Sequence, residues 1–101
     1  MIVVRDIFRV KFGQAKEGTA LWKQAVELLV QGGFGVRGAR LLTDLAGPAY
    51  YTIVLEATYD SLGQWEQAHN AAKGNARWRE TFQKIIPLTE RGRREIFSVV
   101  E

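Results

Sequence analysis

The residues best suited to chemistry lie in one stretch, DSLGQWEQAHNAAKGNARW, from Asp60 to Trp78. It holds His69, the only histidine of the chain, with Trp65 on one side and Trp78 on the other. On a helix, Leu62, Trp65, His69 and Ala72 fall within about one quarter-turn, so the imidazole belongs to an apolar stripe. Three roles fit a histidine there. It can pack in the core with one ring nitrogen hydrogen-bonded. It can accept or position a proton on a bound molecule, because imidazole titrates nearest neutrality. It can also be an axial ligand to haem. Trp22, Trp65 and Trp78 would either fill the core or wall a cavity for a flat apolar molecule. Tyr59 and Arg37 could orient the oxygens of such a ligand, Arg37 by binding a carboxylate or enolate.

Composition removes several alternatives. Cysteine is absent, which excludes disulfides, thiolate chemistry and cysteine-based zinc or iron–sulfur sites. A single histidine with scattered Asp and Glu gives no three-ligand metal spacing, and no cofactor is expected. GGFGVRG, from Gly32 to Gly38, precedes a strand pattern and lacks the lysine and hydroxyl of a phosphate loop. With 47% hydrophobic and 25% charged residues the chain reads as a soluble globular domain. The first segment, MIVVRDIFRVKF, interrupts its apolar run at Arg5, Asp6, Arg9 and Lys11, unlike a signal peptide, and nothing later could span a bilayer. The expectation is a cytoplasmic protein with no membrane partner. Net charge is +3, and RGRR at Arg91 to Arg94 contributes to it. Glu90, Glu95 and Glu101 surround that run and no nucleic-acid-binding motif accompanies it. We therefore read a solvated strand entrance, with no DNA or RNA partner.

Periodicity supplies the elements that must position His69 and the tryptophans. The 101 residues are expected to form one domain. Ile2 to about Phe12 alternates as a strand; Ile2, Val4, Phe8, Val10 and Phe12 share one face, with Asp6 the exception on it. KEGTALWKQAVELLVQ carries a helical stripe of Leu21, Ala25 and Leu28, widened by Trp22 and Leu29. Gly32-Gly33 ends it, one of the pair at positive φ. A second strand is expected over about Val36 to Thr43. After the turn-rich DLAGP comes a third over Tyr50 to Tyr59, with Tyr51, Ile53, Leu55, Ala57 and Tyr59 on one face. These two form an antiparallel hairpin. Ser61, with Gln64 three positions on, fits a capping box at the start of a second helix. That helix runs to about Lys73, where Gly74-Asn75 interrupts it. A shorter helix from Ala76 to Ile85 presents Trp78, Phe82 and Ile85, and Pro87 stops it. Arg93 to Val100 reads as the last strand.

The order is strand, helix, strand, strand, helix, strand: an α+β fold with an antiparallel sheet and both main helices on one face. Tyr50, Thr52 and Val54 put bulk on the other face of the third strand, and an apolar sheet face needs a partner. A homodimer with two sheets packed together would satisfy it. This order, with the segments FRVKFGQAKEGTALWKQAV and GPAYYTIVLEATYDSLGQWEQ and the late Phe97, resembles the dimeric α+β-barrel superfamily. Within it, the chain resembles the NIPSNAP-like and antibiotic-biosynthesis-monooxygenase-like proteins. The resemblance implies ferredoxin-like βαββαβ subunits joined by their sheets into a barrel, with a ligand cavity between sheet and helices. It also implies that Trp65 stands where monooxygenase-like and haem-degrading members carry a helix tryptophan.

Two functional classes follow. One is a binding protein for a small apolar or aromatic ligand, extending to cofactor-free oxygenation of a phenolic substrate with His69 handling the proton. The other is a non-enzymatic homodimeric protein acting through interactions; a haem-binding or haem-degrading protein is a third reading. An enclosed cavity of about 300 Å³ or more with His69 at its wall selects the first. A core that the three tryptophans fill completely selects the second.

Overall fold

Alternation in the two central strands decides which residues meet the helices. A computed structural model describes the whole chain, Met1–Glu101. Its strands are β1 (Ile2–Val10), β2 (Gly38–Thr43), β3 (Thr52–Tyr59) and β4 (Thr89–Ser98). Its helices are α1 (Ala15–Gln31), α2 (Leu62–Lys73) and α3 (Ala76–Ile85), and a 3-10 turn spans Ile86–Leu88. The strands form one antiparallel sheet in the order β2-β3-β1-β4. With the βαββαβ chain order this is the expected α+β, ferredoxin-like arrangement. No helix is long and apolar enough to cross a membrane.

The core lies between the sheet and the helices. Val4 and Val10 of β1 and Ile53, Leu55, Ala57 and Tyr59 of β3 are buried against Trp22, Ala25 and Leu29 of α1, Ala68 of α2 and Ile85 of α3. Close approach depends on small residues. A Cβ at Gly18 would stand 3.2 Å from Val10 Cγ1, so α1 rests almost directly on β1. Two side-chain caps orient the later helices. Ser61 Oγ accepts from the Gln64 amide at 3.1 Å, as the capping signature predicts. Asn75 Oδ1 accepts from the Trp78 amide at 3.0 Å. The Gly74-Asn75 interruption is therefore also the start of α3, and it fixes the turn that carries Trp78.

β2 begins at Gly38 rather than about Val36, and β4 ends at Ser98 rather than Val100. Three further strand boundaries differ from the sequence reading. β1 ends at Val10, two residues before Phe12, and β3 begins at Thr52, leaving Tyr50 and Tyr51 outside it. Tyr51 sits at φ 58, in the left-handed region that breaks a strand. Phe12 and Tyr51 pair edge to face at 5.5 Å between ring centroids, beyond the end of the sheet. Their parity suggested core positions; the two aromatics satisfy each other instead. The third difference is β4, which starts at Thr89 and takes in the whole RGRR run. As an edge strand it tolerates alternating charge, and its side chains divide between two environments.

On the face away from the helices, register aligns Arg40 of β2, Glu56 of β3, Arg5 of β1 and Glu95 of β4 in one row. Glu56 accepts from Arg5 and Arg40, each at 2.9 Å. Burial raises the Glu56 pKa, but those two guanidinium bonds outweigh it and hold the carboxyl below its usual value. Val3, Ile7, Val54, Leu42 and Phe97 flank the row on the same face.

Candidate functional site

Small residues open a space that large ones line. Ala57, Ala68 and Ala72 put only methyl groups into the space between α2 and the sheet, while aromatic side chains from five elements stand around the gap. The result is a cavity of about 590 Å³ between the helix face of the sheet and α2 and α3, open to solvent on one side rather than enclosed. One wall is aromatic. Phe8 stacks on Trp22 at 4.6 Å, Trp22 meets Phe82 edge to face at 6.1 Å, and Phe82 lies near-parallel to Trp78 at 6.3 Å. Gly92 of β4 makes room for this wall, since a Cβ there would stand 2.6 Å from Phe8 Cδ1. The Trp22 indole N–H is buried with no hydrogen-bond acceptor, a cost of about 1–3 kcal/mol that the surrounding packing offsets.

The opposite corner is polar. Asp6 and Arg94 are cross-strand neighbours in register, and Arg94 Nε donates to Asp6 Oδ1 at 2.6 Å. The same guanidinium lies 5.1 Å from the centre of the Trp65 ring, a cation–π contact. Trp65 in turn stacks on His69 at 5.3 Å, one helical turn on. Burial lowers the His69 pKa from its ordinary 6.5; Arg94 and Lys73 lower it further, and Asp6 opposes them. The imidazole is thus held neutral and can accept a proton. Burial raises the Tyr59 pKa above 10.0, Asp6 adds to this and Arg94 opposes it, so Tyr59 remains a phenol that can donate a hydrogen bond. Neutral acceptor, phenolic donor and paired guanidinium share one corner of an aromatic box. That set can bind a ring oxygen and stabilise it as an anion.

Five of the six residues singled out from sequence come together here: His69, Trp65, Trp22, Trp78 and Tyr59 all line the cavity. Arg37 does not. It precedes β2 and forms a two-pronged ion pair with Asp60, at 2.8 and 2.9 Å, on the exposed end of the β2–β3 hairpin. The cavity's guanidinium is Arg94, which the sequence reading left in a solvated run. Its partner carried a visible signal: Asp6 was the one charge on an otherwise apolar strand face. No group of three or more His, Cys, Asp or Glu side chains is placed to hold a metal ion.

Neither a protein-family model nor a curated protein sequence matches the chain. Solved structures do match its fold. An uncharacterized NIPSNAP domain protein from Burkholderia xenovorans superposes with a TM-score of 0.85 at 17% identity, over 99% of this chain and 95% of that one. An antibiotic biosynthesis monooxygenase superposes at 0.79 with 14% identity, over 100% of both chains. SnoaB, a cofactor-independent oxygenase from Streptomyces nogalater solved as a mutant, gives 0.74 at 12% identity, over 99% of this chain and 93% of that one. The chain therefore has the ferredoxin-like fold of the NIPSNAP and monooxygenase-like proteins, as its sequence resemblance implied.

Proposed function

We propose that the protein binds a planar, apolar or aromatic small molecule bearing a phenolic or enolic oxygen, and that it oxygenates such a ligand without a cofactor. The observation that carries the binding reading is the cavity of about 590 Å³ whose aromatic wall faces the Asp6, Arg94, His69 and Tyr59 corner. Proton transfer from the ligand hydroxyl to the neutral His69 imidazole leaves an oxyanion beside Arg94. The electron-rich ring reduces O₂ by one electron, the radical pair closes a C–O bond, and loss of water leaves a ring carbonyl. In net terms a ring CH₂ and O₂ become a ring C=O and H₂O. The substrate supplies every electron, so no external reductant is needed. The similarity to a cofactor-independent oxygenase supports this chemistry at the level of fold alone.

Tryptophan fluorescence, titrated with flavonoid, quinol and haemin panels at neutral and acidic pH, tests the reading. Saturable quenching by the phenolic panels, weakening below pH 6.5 as His69 takes up its proton, supports binding; O₂ uptake with quinone formation supports turnover. No saturable quenching with any panel sinks the cavity reading and leaves an interaction protein. Haemin binding with a Soret shift that His69→Ala abolishes would reassign the site to haem.

The outer sheet face favours a homodimer, and its row of charges supports one geometry. Arg40, Glu56, Arg5 and Glu95 alternate in sign across four strands. A two-fold axis parallel to the strands reverses the row, so Arg40 meets the partner copy's Glu95 position and Arg5 its Glu56 position. An axis across the strands sets like charges together. The first axis also brings Phe97 over Gly38, where a Cβ would meet nothing within 4 Å. Sedimentation of Arg40→Glu, Glu95→Arg and the double variant tests it. Each single change should weaken the dimer about ten-fold, and the double change should restore most of the loss. A monomeric parent protein, or single variants that dimerise like the parent, would contradict this assembly.

A further inference from the structure

The mouth of the cavity differs in charge from its depth. The solvent-exposed side chains that line it are Lys73 at the end of α2, Arg79 and Gln83 on α3, and Arg94 on β4. Every charged group among them is a cation. The one carboxylate in the lining, Asp6, is less exposed and is committed to Arg94. Arg93 turns to the outer face, where Glu95 lies at 3.5 Å, and Lys73 and Arg79 take part in no ion pair. Arg79 Nη1 donates to the Lys73 carbonyl at 3.3 Å, which holds its guanidinium at the end of α2 beside the lysine.

Cations gathered at the rim of a low-dielectric cleft draw anions and favour leaving their charge at that rim. Deeper in, the situation reverses. A neutral imidazole, a neutral phenol and a closed Asp6–Arg94 pair sum to no net charge, so a second full charge carried there would lose its hydration without a partner. From this division, and resting on the cavity-binding reading above, we infer that the ligand is amphipathic. A hydroxylated planar ring system enters first. A carboxylate or other oxyanion at its far end stays at the mouth, between Lys73 and Arg79. A ligand with its only polar group at one end meets half of the site.

The pair 6-hydroxy-2-naphthoate and its methyl ester tests this, because the two share a ring and a phenol and differ in the anion. By tryptophan fluorescence at low salt the acid should bind about ten-fold more tightly than the ester. Its advantage should shrink towards none at about 0.5 M salt, while ester affinity barely moves. The Lys73→Gln/Arg79→Gln variant should lose the preference while the ester still binds. An ester that binds as tightly as the acid at low salt, or a preference that survives high salt, overturns the anionic end but leaves the cavity reading standing. Failure of both compounds to bind overturns the two together.

Discussion

The dipeptides Arg5-Asp6 on β1 and Arg94-Glu95 on β4 face each other in register, and the strand pleat sends one charge pair to each face of the sheet. On the helix face Asp6 and Arg94 close on each other at 2.6 Å under Trp65. On the outer face Arg5 passes over its opposite number Glu95 to reach Glu56 at 2.9 Å and lies 5.6 Å from the Phe97 ring. The residue types are the same; the cover is different. Trp65 stacks over one pair and makes it the polar corner of a cavity, with Asp6 17% exposed against 37% for Glu95. Without that cover the other pair joins a chain of surface charges that can exchange partners. What a charge pair can do in this fold is set by what lies above it.

Removing the cover should separate the faces most strongly. Trp22 is 1% exposed at the centre of the aromatic wall, so Trp22→Ala should cost about 3–5 kcal/mol in urea unfolding. Phe97→Ala, on a ring 48% exposed, should cost the monomer about 1 kcal/mol or less. Comparable losses would mean that the outer face is as well packed as the inner. Next is Gly92→Ala, whose new methyl forces the Phe8 ring away from β4. It should cost about 1–3 kcal/mol and weaken ring binding in the fluorescence titration, and a neutral result would show that Phe8 is free to move.

The charge pairs themselves should differ less. Asp6→Asn leaves Arg94, 38% exposed, without its counter-charge beside Trp65 and should cost about 1 kcal/mol. Glu95→Gln should stay within about 0.5 kcal/mol, because its ion pair is long and solvated. Smallest is the pH response of His69. Its folded pKa lies below the unfolded 6.5, so the unfolded chain binds more protons between the two values and stability falls as pH drops below 6.5. Thermal midpoints between pH 7.5 and about 5, above the range where ordinary carboxylates titrate, should decline less in His69→Gln than in the parent. Parallel declines would remove His69 as the source.

Most of the architecture was legible because it rests on local signals. Ser61 and Gln64 announced a helix start, Gly32-Gly33 a helix end with Gly33 at φ 70, and Ile53, Leu55, Ala57 and Tyr59 a buried strand face. The missing parts depend on tertiary context. Nothing local distinguishes Arg94 from Arg93, yet pleat and register place one over Trp65 and the other on the outer face beside Glu95. Arg37 looked equally available until the hairpin brought Asp60 beside it. Tyr51 and Phe12 have strand chemistry, but the turn before β3 takes Tyr51 out of the extended region. Asp6 could have been read further. A lone carboxylate on an apolar strand face calls for a cation, and the RGRR run of the neighbouring strand held three arginines.

The three tryptophans give the most direct test, because all of them line the helix-face cavity, while a second depression of about 590 Å³ on the outer face contains none. ¹⁵N-indole spectra should therefore report which side of the sheet receives a ligand. On titration with 6-hydroxy-2-naphthoate, the indole N–H signals of Trp22, Trp65 and Trp78 should all move, together with the backbone amides of Tyr59, His69 and Arg94. Movement confined to Leu42, Thr52 and Arg91, which line the outer depression, with the indole signals unmoved, would contradict the account.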